Sequence, residues 1–79
     1  MTTVFWTVAR DGNICATGSE PGAGDPCERG RALAAQYGIP MAQPQQMADV
    51  EHNPWWFEGH TADGHDITIA VYSLDWKGI

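Results

Sequence analysis

The sequence predicts an α+β domain of ββαββ order, a four-stranded antiparallel sheet with one main helix packed on one face. Three observations carry that expectation. Two stretches rich in β-branched and aromatic residues are each broken by an Asp-Gly turn, Arg10-Asp11-Gly12 and Ala62-Asp63-Gly64. Between them lies one segment with a helix cap and helical spacing. At 79 residues the chain makes a single domain, and one this short buries only about 60 % of its unfolded surface.

Residues 2–9 (TTVFWTVA) and 13–18 (NICATG) form the first hairpin. A three-residue loop ending in Gly12 would pair Val8 with Ile14 and Trp6 with Ala16. Val4, Trp6, Val8, Ile14 and Ala16 would then share a face, with Phe5, Thr7, Ala9, Cys15 and Thr17 on the other. Residues 19–24 (SEPGAG) read as a loop that lacks the Lys-Ser/Thr of a phosphate cradle. Asp25-Pro26-Cys27-Glu28 is a helix start: Asp25 caps, Pro26 sits where a missing N–H costs nothing, and Glu28 can complete a capping box. The helix should run to Tyr37 and stop at Gly38, with Cys27, Gly30, Leu33, Ala34 and Tyr37 as its inward stripe. Residues 41–53 allow either a short helix after Pro44, with Met47 and Val50 turned inward, or a loop.

The second hairpin fills residues 54–76 and holds three of the four tryptophans. A three-residue loop with Gly64 in the left-handed conformation pairs Phe57 with Ile69 and Trp55 with Val71. Trp55, Phe57, Ile67, Ile69 and Val71 then form an apolar face. Trp56, Glu58, His60, Asp66, Thr68, Tyr72 and Leu74 form the opposite one. A slip of one residue would send the core side chains to solvent, which selects this register. Trp76 is expected to close an edge of the core.

Charge narrows the function. Ten acids face four bases, a net charge of −6, and residues 32–76 hold six acids and no base. Binding nucleic acid needs cations along the phosphates, so a basic protein surface is the expected complement instead. No run is long and apolar enough to span a membrane and no signal peptide is evident, which places the chain in a cytoplasm with both cysteines reduced.

Chemistry-bearing constellations are sparse. His52, His60, His65, Cys15 and Cys27 show no metal-ligand spacing, so neither metal nor other cofactor is expected. Glu58, His60 and Asp66 gather near one hairpin end without an evident desolvated pocket. Cys27 sits near a helix N-terminus, which can lower a thiol pKa, yet belongs to the inward stripe. An enzyme is therefore not expected. Large rings do carry interface energy out of proportion to their number. Trp56 and Tyr72, rimmed by Asp49, Glu51, Glu58, Asp63, Asp66 and Asp75, are the expected partner-binding residues. A homodimer covering part of the bare sheet face is a further expectation.

The layout VFWTVARDGNICATG, DPCERGRALAAQYG, WWFEGHTADGHDITIAVYSL, with its acidic balance, resembles the small phage and mobile-element anti-CRISPR proteins directed at type I systems, type I-C among them. That resemblance spans the full length but rests on no diagnostic motif. It implies stoichiometric inhibition in a host bacterial cytoplasm: the protein would bind a subunit of the crRNA-guided surveillance complex and block recognition of target DNA. Carboxylates standing where phosphates would bind make it a partial DNA mimic. The rival readings are a phage adaptor aimed at another host protein and a small metal-dependent or acid–base enzyme.

Overall fold

A computed structural model describes residues 3–21, 25–46 and 54–73. The fold is α+β: one helix, α1 (Pro26–Gln36), lies on an antiparallel sheet of β1 (Thr3–Arg10), β2 (Asn13–Pro21), β3 (Gln45–Gln46), β4 (Trp55–His60) and β5 (Asp66–Ser73). The sheet has five strands in the order β2-β1-β5-β4-β3, not the four expected. The addition is the two-residue β3, where Gln45 pairs with Trp56 and Gln46 with Trp55. Residues 41–46 thus form a turn and a short edge strand, with no helix among them. Met47 and Val50, expected to point inward, lie outside the described residues, as do Leu74 and Trp76.

The second hairpin has the expected register: Phe57 pairs with Ile69 and Trp55 with Val71. Thr61 N donates to His65 O (2.9 Å) and Gly64 N to Thr61 O (3.0 Å), closing the three-residue loop. Gly64 has φ +89°, a conformation glycine adopts without penalty.

The first hairpin departs from expectation. Its loop is two residues, Asp11 (φ 52°) and Gly12 (φ 84°), so Arg10 pairs with Asn13 and Ala9 with Ile14. Positive φ at both central positions makes a turn whose twist matches the flanking strands, and aspartate tolerates it. A bulge then shifts the register between Val8 and Ala9, so that Val8 pairs with Ala16 and Trp6 with Gly18. Ile14 leaves the core face as a result and is 68 % exposed.

The core forms between α1 and one sheet face. Val8, Phe57, Ile67, Ile69 and Val71 from the strands meet Leu33 and Ala34 from the helix and Ile39 from the loop after it. Each such side chain fully buried contributes about 1.5–3 kcal/mol. The helix starts as expected, with Asp25 Oδ1 accepting from Cys27 N at 3.0 Å. It ends one residue early, at Gln36, in a Schellman motif: Ile39 N donates to Ala34 O (2.8 Å) and Gly38 takes φ +85°. Ile39, so placed, is buried over Gly59. Of the inward stripe, Gly30, Leu33 and Ala34 are buried and Cys27 and Tyr37 half-buried.

Gly30 sets how near the helix lies to the sheet. A Cβ there would stand 2.1 Å from Cε1 of the buried Phe57 ring. Gly30→Ala gains about 1 kcal/mol of helix propensity, but overpacking a tight core costs about 1–3 kcal/mol. Net destabilisation is expected in urea unfolding, with part of it restored when Phe57→Leu is added. A single variant as stable as the parent would refute the tight contact.

Candidate protein-binding face

One helix covers one side of a sheet, and the register fixes what remains on the other. Three cross-strand rows result: Tyr72, Phe5 and Ser19; Gln45, Trp56, Ala70, Thr7 and Thr17; Glu58, Thr68, Ala9 and Ile14. The pair His60 and Asp66 completes the face at the turn end. Phe5 and Tyr72 stack with ring centroids 5.6 Å apart and planes 19° from parallel. Trp56 lies diagonally across from Tyr72, within the reach of large side chains on neighbouring strands. All three rings are half-buried by their neighbours and open above.

Four of the expected residues, Trp56, Glu58, Asp66 and Tyr72, therefore share this bare face, and Asp63 stands at the tip of its hairpin. Asp49, Glu51 and Asp75 lie outside the described residues. The described bases are on the opposite side. Arg29 and Arg31 belong to α1, while Arg10 lines a cleft of about 510 Å³ with Tyr37, Gly38 and Ile67. Arg29 lies over the Trp6 ring, 4.6 Å from its centroid, and pairs with Glu20. The helix side therefore holds the described bases together with Glu20, Asp25 and Glu28, and Asp63 lines the Arg10 cleft, while Glu58 and Asp66 are the described acids of the bare face.

At the turn end the two hairpins are joined by Asp11. Its Oδ1 accepts from Asp66 N (2.9 Å), its Oδ2 from His65 Nδ1 (2.7 Å), and its backbone N–H donates to Asp66 O (2.8 Å). The backbone hydrogen bond from Asp66, then the one from His65, holds the Asp11 carboxyl below its ordinary 3.8. Asp63 accepts from the Thr61 hydroxyl, which lowers its pKa in the same way. Thr61 Oγ1 in turn accepts from His65 N at 3.0 Å. Sequence reasoning missed this clamp. The only hint was that both turns have the form X-Asp-Gly.

The other constellations are less concentrated. His60 pairs with Asp66 (2.6 Å), while His65 pairs with Asp11 through Nδ1 and with Asp63 through Nε2 (3.6 Å). Among the described residues no cluster of His, Cys, Asp or Glu is arranged to hold a metal ion. Glu58, His60 and Asp66 do line one hollow, of about 200 Å³, but His60 and Asp66 are 78 % and 66 % exposed there. Ligand pockets usually enclose about 300–1,000 Å³. Both cysteines are free; Cys15 is exposed, and Cys27 is half-buried. Burial pushes the Cys27 thiol up, against the lowering that its place near the helix N-terminus suggested.

No family model, curated protein or solved structure matches the chain. Among the described residues no helix is long and apolar enough to cross a membrane.

The clamp makes a pH prediction. A carboxyl whose folded pKa lies below its unfolded value adds stability that is complete above the unfolded value and is lost as pH falls through the folded one. Asp11→Asn keeps the left-handed tolerance and removes the charge. Its urea midpoint should fall below that of the parent at neutral pH, and the gap should close as the pH drops past 3.8. A gap of constant width across that range would rule out the charged clamp.

Proposed function

We propose that this protein is a stoichiometric inhibitor that binds a type I CRISPR surveillance complex and blocks recognition of target DNA. The observation that carries the reading is the make-up of the bare sheet face: Phe5, Trp56 and Tyr72 share it with Glu58 and Asp66, and no described base stands on it. Such a face fits a Lys/Arg-lined surface, where its carboxylates take the places of phosphates. A net charge of −6 is modest for a complete DNA mimic. Aromatic anchoring supplies the rest of the affinity, as large rings do at interfaces. Asp63 and Asp66 meet the cations first, being at the exposed hairpin end, and Trp56 or Tyr72 seats in the partner.

The test is capture of a purified type I surveillance complex, followed by salt titration. Binding should weaken as salt rises, and Asp63→Lys with Asp66→Lys should reduce affinity by at least about tenfold. Trp56→Ala should cost about 2 kcal/mol, a factor of roughly 30. Circular dichroism should report an intact fold for each variant. Absence of binding at low salt, or reversal variants that bind as well as the parent, would eliminate this function. In the first case an adaptor role on another basic host protein becomes the reading to pursue.

A further inference from the structure

The two edges of the sheet are unequal. Among the described residues one ends in β3, two residues long, and a short strand blunts an edge against pairing. The other ends in β2, nine residues long, whose only sheet neighbour among the described residues is β1. The helix packs on β5, β4 and β1 and meets β2 through the Arg29–Glu20 ion pair. The strand therefore presents a row of backbone N–H and C=O groups at the margin of the sheet.

We infer that β2 pairs antiparallel with β2 of a second copy, joining two five-stranded sheets into one of ten strands. The composition of the strand selects that occupant. From Asn13 to Ser19 it carries no charge and mostly small side chains, so it offers nothing to a basic partner yet meets its own copy without repulsion. A two-fold centred on Thr17 sets Glu20 opposite Ile14 of the second copy. One centred on Gly18 sets it opposite Ala16. In neither case does carboxylate face carboxylate, and Glu20 is already paired with Arg29 of its own chain. The bulge beside Val8 distorts the turn end of the strand, which selects the register centred on Gly18, whose pairing runs from Ala16 to Glu20. Glu58, Asp63 and Asp66 lie on β4, β5 and their loop, away from the junction. Their repulsion is screened within about 8 Å at physiological salt.

Pairing about an axis normal to the sheet keeps both helices on one side and both bare faces on the other. The geometry differs from a face-to-face dimer, which would bury Trp56 and Tyr72. Here those rings stay open and the surface that carries them is doubled.

Size-exclusion chromatography with light scattering on the intact chain decides the matter. At high micromolar concentration the parent should have twice its 8.6 kDa chain mass. Thr17→Lys with Ser19→Lys, both exposed positions, should return it to single mass, while Trp56→Ala should leave the dimer intact. Independently of any variant, those amide hydrogens along residues 16–20 that point away from β1 should exchange slowly in concentrated parent protein and faster on dilution. A parent of single mass at every concentration would overturn the inference. So would a dimer that Trp56→Ala breaks and the lysines do not, or β2 amides protected only when the surveillance complex is added.

Discussion

The contact between Gly30 and the Phe57 ring determines what this domain can expose. With one helix among the described residues, only one face of the sheet is covered by it. The helix has to lie close for that cover to be dry. Gly30 allows it, because the space where a side chain would stand is filled by the ring. Leu33 and Ala34 then reach the same sheet surface, and Ile39, turned back by the Schellman motif, closes over Gly59. The opposite face remains bare because no further element is available among the described residues. Its rings and carboxylates are left over from a core that is already complete.

The turns convert this layered arrangement into a polarised one. Strand alternation alone sorts side chains between faces, but it does not decide which end of the sheet is acidic. Asp11 does much of that, by tying the first hairpin to Asp66 and His65 of the second. Held together, Asp11, Asp63 and Asp66 gather at one end of the molecule. The hydrogen bonds that lower the pKa of Asp11 and Asp63 also favour their charged forms, so order and negative charge support each other there.

The second hairpin was legible to the residue, because its apolar set fits only one register and Gly64 fixes the loop. The helix and its cap were legible for the same kind of reason: Asp25, Pro26 and Gly38 each have one cheap place in a helix. The first hairpin was not. Asp11-Gly12 is itself the signature of a two-residue turn with both residues left-handed, but Val4, Val8 and Ile14 alternate well enough to support a longer loop, and nothing local announces that a bulge will absorb the shift. Strand β3 escaped because two glutamines carry no periodicity. The sheet order and the Asp11 clamp escaped because both join residues more than fifty positions apart. At the candidate site, the face of Trp56, Glu58, Asp66 and Tyr72 followed from alternation, whereas Ile14 joins it only through the bulge.

Rings and carboxylates on one face do different work. Exposed ion pairs are worth about 0–1 kcal/mol each and weaken with salt. A few such pairs around Glu58, Asp63 and Asp66 steer a basic partner toward the face and raise the rate of encounter. They hold it poorly once it arrives. Half-buried rings behave in the opposite way, since a stacked pair such as Phe5 and Tyr72 loses little side-chain freedom when covered and excludes water over a wide area. In the proposed complex the carboxylates therefore govern association and the rings govern dissociation. A protein with only the charges would dissociate as salt rises, because screening weakens every one of its contacts. In the proposed complex the tryptophan and tyrosine would make occupation of the basic surface last, and an inhibitor acting one-for-one needs that persistence.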